Sequence, residues 1–122
     1  MMYFTKEEKA AMYYYFSHMA LADGVVENSE IQLGAIIGAK IGITEEEMNL
    51  SSEYDVNKAT PIISSMNFEK KELFASLLVF MMGVDGDISP NETFYWTLVC
   101  KACKLPNISL NEALRIGRNF LE

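Results

Sequence analysis

Apolar residues recur at steps of three and four through most of the chain. Met12, Phe16 and Met19 keep that spacing, as do Leu33, Ile36, Ile37 and Ile41. Such spacing lines one face of an α-helix. From residue 73 the pattern changes, because Leu73, Phe74, Leu77, Leu78, Phe80, Met81 and Met82 leave almost no polar face. A helix apolar nearly all round belongs in the middle of a domain, wrapped by its neighbours. No window of four to eight residues keeps a period-two alternation between turn signals, so no strand is predicted.

Start signals divide this pattern into elements. Thr5-Lys-Glu-Glu8, Thr44-Glu-Glu-Glu47, Ser89-Pro-Asn-Glu92 and Ser109-Leu-Asn-Glu112 all have the form of a capping box. In such a box the hydroxyl receives the N3 amide and the N3 carboxylate receives the N-cap amide. Pro90 falls at N1, where a missing N–H costs nothing. Asp55 and Asn67 suit the N-caps of two more helices. The expected fold is therefore all-α, one domain over residues 1–122. It has helices near 6–22, 28–41, 45–51, 56–66, 68–83, 90–104 and 110–121. The helix at 68–83 should be the most buried, with 6–22 packed beside it.

The chain also repeats itself. A shift of 62 residues lays Asp23-Gly-Val-Val-Glu-Asn-Ser-Glu30 on Asp85-Gly-Asp-Ile-Ser-Pro-Asn-Glu92. The same shift pairs Thr5 with Asn67, Met12 with Phe74, Phe16 with Leu78 and Ile37 with Val99. Two helix–Asp-Gly-turn–helix hairpins, about 6–43 and 68–105, thus flank a helical insert of about 45–66. Two copies are too few for a solenoid and point to a bundle with approximate two-fold internal symmetry. Helix-end chemistry accounts for each residue of the motif. Gly24 and Gly86 suit the left-handed position after a helix. Val26 and Ile88 can plug the hairpin ends, and Glu92 closes a capping box.

The same turns gather carboxylates: Asp23, Glu27 and Glu30 in the first, Asp85, Asp87 and Glu92 in the second. Ca²⁺ and Mg²⁺ take oxygen ligands, six to eight of them for Ca²⁺. With Ile88 set at position eight of an EF-hand loop, positions one and three hold Met81 and Gly83. In the first copy they hold Met19 and Leu21. Two required carboxylates are missing from each, which excludes a standard EF-hand. Neither turn supplies enough oxygens alone, so a site would need both turns within reach of one ion.

Met19-Ala-Leu-Ala-Asp-Gly-Val-Val-Glu-Asn-Ser-Glu30 and Met81-Met-Gly-Val-Asp-Gly-Asp-Ile-Ser-Pro-Asn-Glu92 resemble the TerB-like domains. That group includes the tellurite-resistance TerB proteins and the N-terminal domain of DjlA-type co-chaperones. The resemblance spans roughly residues 6–105. It implies about seven helices, no established enzymatic activity and association with tellurite-type stress responses. It further implies a role in divalent-metal binding or in membrane-associated complexes. Its acidic positions fall on Asp23, Glu30, Asp85 and Glu92. Glu27 and Asp87, candidate additions, are not shared between the copies. No J-domain accompanies the motif.

Other features narrow the function. The chain has 10 basic and 17 acidic residues, for a net charge of −7. That balance argues against nucleic acid and anionic membrane surfaces. Its longest apolar stretch, from Leu73 to Val84, is 12 residues, short of the roughly 20 that span a bilayer. No secretory signal opens the chain, so a cytoplasmic location is expected. Cys100 and Cys103 sit near a helix C-terminus, where the dipole opposes a thiolate, and read as core packing. His18 has no nucleophile or second histidine at a suggestive position, and no catalytic set can be named. Gly34 and Gly38 lie mid-helix and suggest close helix packing. Tyr13-Tyr-Tyr-Phe16 spans nearly a full turn, so at least one ring should be exposed or at a contact.

Residues 1–62 carry 4 basic and 10 acidic side chains, and residues 63–122 carry 6 and 7. Lys101, Lys104, Arg115 and Arg118 gather late in the chain. This asymmetry admits head-to-tail self-association, although a solvated helix face explains the same residues. The leading expectation is a non-enzymatic interaction module of a stress-response assembly, with a protein partner and no resident cofactor. The alternative is a weak Ca²⁺ or Mg²⁺ sensor built on the acidic turns.

Overall fold

Local hydrogen bonds fix where each helix begins. Thr5 Oγ1 accepts from the Glu8 amide at 3.1 Å, and Glu8 Oε1 accepts from the Thr5 amide at 2.8 Å. Asp55 caps through the Lys58 amide at 3.0 Å and Asn67 through the Lys70 amide at 2.9 Å. At Thr44 the Glu47 carboxylate takes both the amide, at 3.0 Å, and the hydroxyl, at 2.9 Å. The box expected at Ser109 is only half made. Ser109 Oγ accepts from the Glu112 amide at 3.1 Å, but the Glu112 carboxylate turns to Arg115, whose Nε donates at 3.0 Å. An ion pair one turn along the helix competes with the cap amide for that carboxylate, and it prevails.

The computed structural model describes residues 3–21, 28–83 and 88–122, and only the backbone of residues 28–30. Among these residues the chain forms seven helices and no strand. They are α1 (Lys6–Ala20), α2 (Asn28–Ile41), α3 (Glu45–Ser51), α4 (Val56–Ser64), α5 (Phe68–Met82), α6 (Pro90–Ala102) and α7 (Leu110–Leu121). The starts agree with the sequence reading. Four ends fall one or two residues short of it, at Ala20, Ser64, Met82 and Ala102. Tight bonds such as Leu21 N to His18 O (3.2 Å) and Met66 N to Ile63 O (3.0 Å) close two of these turns. No side-chain signature marks such an ending.

Two helix ends do use the left-handed region. Gly42 follows α2 at φ 90°, and Lys104 closes α6 at φ 55°. Ile43 N bonds Gly38 O at 2.8 Å, and Leu105 N bonds Cys100 O at 2.9 Å, both satisfying otherwise orphaned carbonyls. Gly42 and Lys104 stand 62 positions apart in the sequence, as do both bounds of α1 and α5. Lys104 holds its conformation at a cost of about 1 kcal/mol that glycine avoids.

α5 is the centre of the bundle, with Leu73 to Val79, Met81 and Met82 all buried. The Phe74 ring lies 5.8 Å from the Tyr15 ring and 5.6 Å from the Phe16 ring, which seats α1 against α5. The first turns of these two helices meet at the Lys70–Glu8 ion pair, 2.8 Å apart. α7 packs most extensively on α5. There Gly117 admits Phe80 so closely that an added Cβ would lie 3.1 Å from its ring. α6 is tied to α5 by the Trp96 Nε1–H, which donates to the Ala75 carbonyl at 3.3 Å. α3 and α4 pack on α1, and the Tyr15 hydroxyl is hydrogen-bonded to Thr60 of α4. Among the described residues no helix is long and apolar enough to cross a membrane.

Candidate functional site

Of the four acidic positions carried by the sequence motif, the structure describes the side chain of Glu92 alone. Asp23, Asp85, Glu27 and Asp87 lie outside the described residues, and so does the side chain of Glu30. Glu92 is buried at the third position of α6. Its Oε1 accepts from the Ser89 amide at 3.1 Å, and its own amide donates to Ser89 Oγ at 3.1 Å. That is the capping role that its spacing predicts. Ile88, just before the cap, lies with its Cδ1 3.8 Å from the Cβ position of Gly83 at the end of α5; Val26 lies outside the described residues. Among the described residues no group of three or more His, Cys, Asp or Glu side chains is placed to hold a metal ion.

An apolar concavity lies elsewhere, between α1 and α2. It is a half-open apolar cavity of about 420 Å³, within the range of ligand sites. Tyr13, Phe16, Ser17 and Ala20 form its α1 wall, and Ile31, Gly34, Ala35, Gly38 and Ala39 its α2 wall. Ile43, Met48 of α3 and the buried Met81 of α5 complete its lining. The last turns of α1 and α5, which precede the two acidic turns in the chain, thus border one cavity through Ala20 and Met81.

Here the structure corrects the sequence reading of Gly34 and Gly38. A Cβ built on Gly34 meets nothing within 4 Å, and one on Gly38 meets only Ile43 Cβ at 3.9 Å. Neither glycine serves a close helix contact; both widen the cavity. α2 turns Leu33, Ile37 and Ile41 to the core, yet Ile31 and Ile36 remain 53% exposed. These cavity residues escaped sequence analysis because small residues at helical spacing read equally as contact or as space. The available signal was that α2 carries apolar residues on more than one face.

The remaining chemistry-bearing side chains are held in place by the fold. Cys103 is buried, and burial raises the pKa of its thiol. Cys100 is half-buried, and burial pushes its thiol up to about 11. Core packing therefore describes Cys103 fully and Cys100 in part. Cys100 also borders a second cavity of about 410 Å³ with Trp96, Lys101 and Lys104. His18 is exposed, its Nδ1 2.8 Å from the Tyr14 carbonyl oxygen and its ring 4.2 Å from that of Tyr14. In the aromatic run Tyr15 and Phe16 are buried while Tyr13 and Tyr14 are half-covered.

No family model matches the chain, and no curated protein does. Among solved structures it is similar to the crystal structure of a protein of unknown function, PG1108 from Porphyromonas gingivalis W83. The TM-score is 0.85 at 30% sequence identity, over 98% of this chain and 93% of that protein.

Proposed function

The chain belongs to the family of the Porphyromonas gingivalis protein PG1108, and on that premise we propose that it is a non-enzymatic interaction module. Its assembly is a stress-response complex of the tellurite type, as the TerB-like sequence motif implies. The observation that carries this reading is the apolar surface on the second helix of each hairpin. Ile31 and Ile36 stand out from α2, and Phe94 and Leu98 from α6 at 67% and 49% exposure. Phe94 and Leu98 are four residues apart and share one helix face. Paired exposed apolar groups of this kind serve contacts better than they serve a free monomer. The test is affinity purification of the tagged chain from its host, with and without tellurite. One partner in stoichiometric yield is expected. A chain recovered alone under both conditions contradicts the proposal.

A divalent-cation sensor is the second reading, with Asp23, Glu30, Asp85 and Glu92 as ligands. Its support is that α1 and α5 end against one cavity, so the acidic turns follow helices that finish side by side. Carboxylates crowded without a cation repel one another and weaken the apo fold. Ca²⁺ or Mg²⁺ then raises Tm by mass action, and Asp85→Ala abolishes the rise. Calorimetry that detects no heat with either ion at millimolar concentration removes this reading.

A further inference from the structure

The two walls of the α1–α2 cavity present matching stripes. Tyr13, Phe16, Ser17 and Ala20 follow steps of i, i+3, i+4 and i+7, and Ile31, Gly34, Ala35, Gly38 and Ala39 follow the same steps and add i+8. This is the spacing at which one helix packs against another. α2 keeps glycine at two of its five lining positions although an added Cβ would meet no clash at either. Glycine is a poorer helix residue than alanine, so the stability of this chain gains nothing from the choice. What the glycines supply is room.

Charge narrows the occupant. Residues 1–62, which supply all of the lining except Met81, carry 10 acidic and 4 basic side chains. Glu45 is exposed on α3 one turn before Met48, which lines the cavity. Of the nearby cations, Lys6 pairs with Glu46, and Lys9 favours the charged form of the Glu47 carboxylate. Helical spacing puts Lys40, two residues after Gly38, on the opposite side of α2. Among the described residues that line the groove, none is a cation to pair with an acyl carboxylate or a phosphate. Resting on the interaction-module reading, we infer that this groove receives the apolar face of a partner helix flanked by lysine or arginine.

The probe is a synthetic helical peptide with leucines at i, i+3, i+4 and i+7 and lysines elsewhere, titrated against the full chain by fluorescence anisotropy. A Leu/Glu peptide of the same pattern is the control. The Leu/Lys peptide binds saturably, and the Leu/Glu peptide does not. Gly34→Leu, which fills the groove without changing charge, weakens binding at least about tenfold while leaving the circular dichroism spectrum intact. Glu45→Lys, at an exposed position, weakens it about threefold. Equal binding of both peptides, or Leu/Lys binding untouched by Gly34→Leu, overturns the proposal. So does self-association of the chain that Gly34→Leu abolishes, because the occupant is then a second copy. A chain that captures a partner from its host but fails these arms keeps the module reading and loses the groove. A chain that binds the peptide through Gly34 yet purifies alone does the reverse.

Discussion

Gly34 and Gly117 are both glycines in the interior of a helix, and they do opposite work. At Gly117 the missing side chain lets α7 settle onto α5, with Phe80 pressed to 3.1 Å from where a Cβ would stand. At Gly34 nothing lies within 4 Å of that position. One glycine closes an interface and the other holds a groove open. The difference lies not in the residue but in what faces it. α7 meets the filled flank of α5, whereas α2 faces α1 across a cavity. Small residues therefore mark where volume is controlled, and only the packing partner decides in which sense.

The comparison is most easily broken by adding volume. Gly117→Leu forces a branched side chain into the Phe80 ring, and overpacking of this kind costs about 1–3 kcal/mol. Thermal denaturation should show a lower Tm, and Phe80→Leu in the same chain should recover part of the loss. An unchanged Tm would mean that α7 can slide and that the contact is not tight. Hydrogen exchange sharpens the contrast further. Amides of α5, buried on nearly all sides, should exchange only with global unfolding, and those of α2 should exchange at lower cost. Equal protection of the two helices would contradict an open α1–α2 side. A smaller effect of the opposite sign is expected from Gly34→Ala. With no clash to meet, it should stabilise the chain by about 0.5–1 kcal/mol through helix propensity alone.

The smallest expected effect is chemical and leaves stability unchanged. Burial raises the Cys100 pKa to about 11, so the thiol stays protonated at pH 8 and alkylates more slowly than an ordinary thiol. Its rate should climb as the pH approaches 11. Cys103, buried beside Tyr15, should react only after unfolding. Fast labelling of Cys100 at pH 8 would place it in the open.

Features written in local sequence were legible in advance, and those that depend on a distant partner were not. Thr5, Asp55, Asn67 and Ser89 announced their helices because a cap is settled within four residues. The run from Leu73 to Met82 announced the central helix because no polar face was left to expose. Ser109 was legible as a cap but not as half a box, since Arg115 competes for Glu112 from one turn away. The role of Gly34 is not legible locally because it depends on α1, which ends more than ten residues earlier in the chain. The TerB-like motif gave acidic positions, of which Glu92 has a described side chain, and that side chain caps α6. The groove carried no motif at all. Its residues come from four helices and become a site only once those helices are assembled.

The most direct test of the account compares the tagged wild-type chain with its Gly34→Leu variant in affinity purification from the native host. If the glycines of α2 keep a groove open for a partner, the variant should fold as the parent does and lose the co-purifying protein. A partner retained by Gly34→Leu in the yield of the parent would contradict that claim.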